Sequence, residues 1–232
     1  MQSVGGCGIL NPWGQGVRIM FRIGLAALVL VAGSAAAQDL TVYGGGELEF
    51  AFDEDGPNTG TNTYLKGYLE VESHGFYAGL WAKIANDDAS NRADPYLGYR
   101  GETAGGLSYD VSYYRYNYVN DSASNYGEVI LSLGMPFGDK LSGTLDLAYD
   151  PENALGNVYV GAAYAATDKL EISANYGVYE VADAASEQEW DFGATWYLTD
   201  ETAMDLRYYD GSEYLGSYVG LSLSWDSTLF TR

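Results

Sequence analysis

From Leu40 onward the chain is a succession of segments of roughly ten residues in which apolar and polar residues alternate. That is the period of a strand with two unlike faces. Twelve segments can be counted, at about 40–52, 63–73, 76–84, 94–103, 107–118, 126–137, 141–150, 157–166, 170–179, 189–198, 203–209 and 217–225, and no helical period interrupts them. In 126–137, Val129, Leu131, Leu133 and Met135 alternate with Glu128, Ser132 and Gly134. In 217–225, Val219, Leu221, Leu223 and Trp225 alternate with Tyr218, Gly220, Ser222 and Ser224. The connections sort by parity. "HG" at 74–75, "AGG" at 104–106, "GDK" at 138–140, "TDK" at 167–169 and "TDET" at 199–202 are tight. "DEDGPNTGTN", "NDDASNRA", "NDSASN", "PENALG", "VADAASEQ" and "DGSEYLGS" are longer and polar or acidic, and the two kinds alternate strictly. A soluble sandwich has no reason to sort its loops this way. An outer-membrane barrel does, with short turns on the periplasmic side and longer loops outside. An open edge in hydrocarbon would leave backbone groups unpaired, so such strands must close. The expectation is an all-β, transmembrane, antiparallel up-and-down barrel of about twelve strands.

The start of the chain fits this destination. Arg18 and Arg22 flank Met20, and "IGLAALVLVAG" and Ala35-Ala36-Ala37 follow. A charged segment, a short apolar run and an Ala-x-Ala site describe a cleaved secretory signal. The run is shorter than the roughly 20 residues a spanning helix needs. Residues 1–37 are read as an upstream extension plus signal peptide, with Met20 the better start, and 38–232 as a single barrel domain. Cleavage removes Cys7, the one cysteine, and excludes a disulfide framework. It leaves nine of the eleven basic residues and all 32 acids, a balance that disfavours nucleic acid as a partner. The 22 tyrosines and the dense apolar pattern argue against disorder.

"GFYAGLWA" at 75–82, "DPYLGYRGE" at 94–102 and "GLSYDVSYYRY" at 106–116 resemble the TorF-type family of outer-membrane porins. The likeness is good over about 64–118 and only general beyond. It implies an outer-membrane channel and carries no defined site with it. A second likeness is to the barrel-assembly signal, in Gly220, Leu223 and the terminal aromatic Trp225 of "YVGLSLSW". Strict alternation breaks at Asp226, Ser227 and Thr228, so the last strand is expected to end at Trp225.

If the apolar rows face lipid, the other rows face inward. The expected inward acids are Glu47, Glu49, Glu70, Glu72, Glu102, Asp110, Glu128, Asp146, Asp150, Glu171, Glu189, Asp191 and Asp205. The inward bases are Lys66, Lys83, Arg100 and Arg207. Acids outnumber bases, and rings of Asp and Glu favour cations. Counting back from the 104–106 turn sets Glu102 opposite Ser108 and Arg100 opposite Asp110, so an Arg100–Asp110 pair is expected on the lumen wall. The looser first connection allows Glu49 opposite Lys66. Phe76, Phe137, Trp196 and Trp225 are expected near one membrane interface, and Phe50, Phe52, Tyr149 and Trp190 near the other. In 108–118, Tyr109 and Tyr113 fall outward, and Tyr114, Tyr116 and Tyr118 inward. Arg115 falls outward, reaching for headgroup phosphates or turned in by a bulge.

Chemistry of other kinds is poorly supported. The single histidine, His74, sits in a tight turn, and acids two apart on one strand are what any acidic row provides. "DEDG" at 53–56 lacks the later glutamate of a calcium loop. No catalytic residue, metal or cofactor is expected. The reading is a narrow channel for passive diffusion of small hydrophilic solutes, cationic or neutral. The alternative is a structural or adhesive barrel without a conducting pore. Expected partners are outer-membrane lipid and lipopolysaccharide, the barrel-assembly machinery and small solutes, in the outer membrane of a Gram-negative bacterium.

Overall fold

The computed structural model describes residues 40–55, 61–86, 90–212 and 216–232. The expected signal, with Cys7 and Met20, lies outside the described residues. Twelve strands follow one another: β1 (Thr41–Asp55), β2 (Thr61–Ser73), β3 (Phe76–Ala85), β4 (Arg92–Glu102), β5 (Ser108–Tyr116), β6 (Tyr126–Pro136), β7 (Leu141–Asp150), β8 (Leu155–Thr167), β9 (Leu170–Tyr179), β10 (Glu187–Tyr197), β11 (Thr202–Gly211) and β12 (Ser217–Thr231). Each pairs antiparallel with its sequence neighbours, and β1 pairs with β12, so the sheet closes into a barrel with no free edge. The expected fold is the observed one.

Local chemistry explains the tight turns. His74 (φ 52°) and Gly75 (φ 82°) both take positive φ, as a two-residue hairpin turn matched to strand twist requires. In the next turn the Thr103 N–H donates to the Leu107 carbonyl at 2.9 Å. This sets Glu102 opposite Ser108 and Arg100 opposite Asp110, in the expected register.

Several strand boundaries and one register differ from expectation. Toward the longer connections β1 runs to Asp55, β4 begins at Arg92 and β11 runs to Gly211, so the contrast in connection length is smaller than the sequence suggests. Polar residues do not end a ladder whose backbone groups still find partners next door. At the other end β12 does not stop at Trp225 but continues to Thr231. Val42 pairs with Phe230 and Tyr43 with Thr228, leaving Leu229 without a partner in the ladder. A bulge of this kind adds one residue and shifts the phase; the alternation looks broken earlier because the outward row there holds polar Ser227, which donates to Glu201. Finally, Glu47 rather than Glu49 stands opposite Lys66, with Leu48 opposite Leu65 on the outer face.

The two faces separate cleanly. Phe76, Leu80, Leu97, Val129, Leu147, Phe192, Leu206 and Leu223 are exposed on the outside. Phe76, Phe137, Trp196 and Trp225 are exposed near the tight turns, and Phe52, Tyr149 and Trp190 near the long connections. Phe50 is half-buried. An apolar belt around the whole circumference suits hydrocarbon and not water. The interior has the opposite chemistry: Glu47, Glu49, Glu70, Lys83, Arg92, Asp94, Glu128, Asp191 and Arg207 are all buried there, among tyrosines and serines.

Candidate functional site

Three interior cations are each held by carboxylates from more than one position. Lys66 Nζ donates to Glu47 Oε1 at 2.8 Å and also pairs with Glu49. Arg100 Nε donates to Glu72 Oε2 at 2.8 Å, and its Nη2 pairs with both Glu70 and Glu72. Arg207 pairs with Asp191 and with Asp205, the latter at 3.1 Å, and its Nη2 donates to Ser173 Oγ at 2.9 Å. One base between two acids recurs at all three sites. Buried charges are tolerable only when paired and hydrogen-bonded, and a ratio of one to two leaves each site net negative. A fourth cation, Arg92, pairs with Asp94 at 2.9 Å, and Asp94 also accepts the Asn117 backbone N–H at 2.9 Å.

The expected Arg100–Asp110 pair is not made, although the two residues are opposite one another. Arg100 turns away toward β2, where two carboxylates compete for it, and its guanidinium lies 4.4 Å from the centre of the Tyr77 ring. Asp110 instead accepts the Tyr77 hydroxyl at 2.6 Å. Tyr77 reaches it across Gly98 of β4, where a Cβ would come within 2.5 Å of the tyrosine oxygen. Lys66, by contrast, contacts both Glu47 and Glu49 despite the shifted register, because its side chain is long enough to span both inward positions.

The bridging of one strand by a long side chain recurs. Tyr68 of β2, Gly45 of β1 and Asp226 of β12 stand in one row across the ladder, and the Tyr68 hydroxyl donates to Asp226 over the glycine. Arg207 of β11, Gly193 of β10 and Ser173 of β9 form a similar row. A Cβ at Gly45 would meet the Tyr68 ring at 2.7 Å, and one at Gly193 the Arg207 side chain at 2.9 Å. These rows tie each strand to its second neighbour as well as its first.

The remaining expected residues take separate places. Glu128 accepts the Tyr116 hydroxyl at 2.9 Å and Asn157 Nδ2 at 2.8 Å. Asp191 also accepts Asn175 Nδ2 at 2.5 Å, and Asp205 accepts Thr195 Oγ1 at 2.7 Å. Asp150 caps the 151–154 turn, accepting the Glu152 N–H at 2.7 Å and Asn153 Nδ2 at 2.6 Å. It serves the connection rather than the interior. Asp146 and Glu171 are half-buried on β7 and β9, Glu189 is half-buried opposite Gly177, and Glu102 is exposed at the turn-side rim. Lys83 Nζ lies 5.2 Å from the Tyr64 ring centre. On β12, Gly220 faces inward beneath Tyr209, while Leu223 and Trp225 are exposed on the outside. Arg115 is on the outer face with no bulge in β5, and pairs with Glu152 of the 151–154 turn. His74 is hydrogen-bonded to its neighbour Ser73 at 3.0 Å in the exposed turn. Among the described residues no group of His, Cys, Asp and Glu is placed to hold a metal.

Sequence reasoning missed Arg92, Asp94 and Asp226, all buried in the interior. Each lies at or beyond the assumed end of a strand. Extending the even-residue inward row of β4 back through Asp94 to Arg92 would have found two of them. Asp226 continues the inward row of β12 from Ser222 and Ser224.

The two ends of the interior differ. Toward the long connections its wall carries Tyr64, Tyr116, Tyr118, Tyr159 and Tyr179, all buried. Toward the tight turns the wall of β7–β10 carries Ser142, Thr144, Ala163, Ala165, Glu171 and Thr195, all half-buried, while Glu70, Tyr77 and Asp226 on β2, β3 and β12 are buried.

No family model matches the chain, and no curated protein matches it. Solved structures do. A KdgM porin aligns with a TM-score of 0.62 at 10% identity, covering 80% of this chain and 99% of that one. A NanC porin aligns with a TM-score of 0.60 at 10% identity, covering 80% of this chain and 100% of that one. A KdgM porin in complex with disordered oligogalacturonate aligns at 0.59 and 10% identity, covering 82% of this chain and 99% of that one. At this identity the likeness establishes a shared barrel fold.

Proposed function

We propose that this protein is an outer-membrane channel of a Gram-negative bacterium, of the porin type and akin to the TorF-type family. It admits small hydrophilic solutes, cationic or neutral, by passive diffusion. The observation that carries this reading is the closed barrel with an apolar exterior and a charged interior in which acids outnumber bases. Such a wall has a use where water and ions enter, and little use in a barrel that only anchors. The tight turns face the periplasm and the long connections face outward, as in barrels of this kind. Residues 1–37 carry the export signal, the C-terminal strand with Gly220, Leu223 and Trp225 addresses the assembly machinery, and the aromatic ends of the outer rows contact lipid and lipopolysaccharide. Oligogalacturonate, the ligand of one structural neighbour, is a polyanion, and the charge balance here opposes such a solute.

The test is planar-bilayer recording of the refolded barrel under a salt gradient. A reversal potential of the sign for cation selectivity is the expected result. A barrel that folds, by heat-modifiable gel mobility, and passes no current overturns the channel reading. That outcome would favour a structural barrel, for which the buried tyrosines at one end of the interior speak.

A further inference from the structure

We propose that the constriction of this channel is a tyrosine gate in the half nearer the long connections, positioned by Arg92. The half-buried stretch of β7–β10 nearer the tight turns then forms an antechamber. This rests on the channel reading and names the residues that set its size limit. The Arg92 guanidinium lies 5.0 Å from the Trp81 ring centre, 5.1 Å from Tyr116 and 5.5 Å from Tyr118. Three rings converging on one cation hold it from several sides. Asp94 neutralises it at 2.9 Å, and Arg92 and Tyr118 bridge in the ladder just beyond the end of β5. Arg92 Nε has no hydrogen-bond partner, so it is the rings and Asp94 that fix the group.

The gate has a second side. Tyr159 and Tyr179 project from β8 and β9 and are 8% and 5% exposed, while Tyr116 is 1% exposed. Tyr209 and Tyr218 stack at 4.4 Å between ring centres. A water-filled passage would leave inward rings accessible, and Tyr116, Tyr159 and Tyr179 are not, whereas Tyr209 and Tyr218 are half-buried. Thr144, deeper in the same interior, is half-buried. Passage past the rings requires tyrosine side chains to swing, and Arg92 decides how firmly those on its side are held. Arg92 is thus a positioning residue for the gate.

The experiment uses the full chain and two variants. Arg92→Ala with Asp94→Ala removes both charges together and leaves neither buried alone. Tyr179→Ala opens the opposite side. Both are expected to raise single-channel conductance several-fold and to admit larger polyethylene glycols, with ion preference unchanged. Wild-type conductance in both variants overturns the proposal. An independent readout uses Thr144→Cys in a chain whose one native cysteine is Cys7. A membrane-impermeant maleimide added to intact cells should label it slowly in the otherwise wild-type chain and quickly with the Arg92→Ala, Asp94→Ala pair. Equal rates overturn the gate. A rate difference without current in any barrel sinks the channel reading and leaves the constriction standing.

Discussion

The two halves of the barrel share twelve strands and one circumference, yet the walls of their interiors differ. Toward the long connections Arg92, Asp94, Tyr116 and Tyr159 are nearly inaccessible, and Arg92 packs against Asp94 and Tyr116. Toward the tight turns Arg100 and Glu72 pair while remaining about a fifth exposed. Strand number sets the width of a barrel. Here the side chains decide what that width contains: tyrosine and arginine fill it, whereas serine, threonine and alanine leave room for water. An ion pair in the first half is a buried pair, whose loss leaves a stranded charge. The Arg100–Glu72 pair in the second half has solvent to fall back on.

The sharpest challenge to this contrast is to remove one charge from each half. Arg92→Met should lower stability in urea unfolding by about 3–5 kcal/mol, the cost of leaving a buried partner unpaired. Glu72→Gln should cost far less, because Glu72 is about a fifth exposed and Arg100 keeps Glu70, and equal losses would erase the distinction. Next in size is Gly45→Ala. The new methyl group displaces the Tyr68 ring and breaks its bond to Asp226, at a cost of about 1–3 kcal/mol in the same measurement. Wild-type stability there would show that the bridging rows are not braces. Asp146→Asn changes charge in the wetter half only. The permeability ratio should move toward anions by about fivefold at most, since one charge at 4 Å in water is worth about 1 kcal/mol, and reversal potentials report it. The smallest effect is expected outside the barrel altogether. Arg115→Ala loses an exposed pair with Glu152 and should change stability by about 0–1 kcal/mol. A loss comparable to that of Arg92→Met would mean that exposure is a poor guide here.

Strand order, the two faces and the Arg100–Asp110 register were legible because alternation and a tight turn are local signals. What a side chain does with its position was not. Arg100 has Glu70, Glu72 and Asp110 near it, and the choice depends on Tyr77 reaching Asp110 across a glycine, a relation spanning three strands. Arg92 was hidden because polar residues beside a long connection read as loop, and Asp94, the first residue of the expected strand, was left off its inward row. Asp226 was hidden because the polar run Asp226, Ser227 and Thr228 makes the last strand look finished too early. The inward tyrosines could be placed on their face from parity alone. Their crowding at one end appears only when register sets the heights of neighbouring strands.

The ladder between β1 and β12, from Thr41 opposite Thr231 to Asp55 opposite Ser217, has a consequence in time. Every other ladder joins strands adjacent in sequence and can form as a hairpin. This one joins the ends of all the intervening chain, and contacts of such separation form late, after their entropy of closure has been met. Until then the sheet has two bare edges, each a template for another chain. The Tyr68–Gly45–Asp226 row straddles that seam. Weakening it is expected to lengthen the life of the open sheet, and so raise the fraction lost to aggregation during assembly.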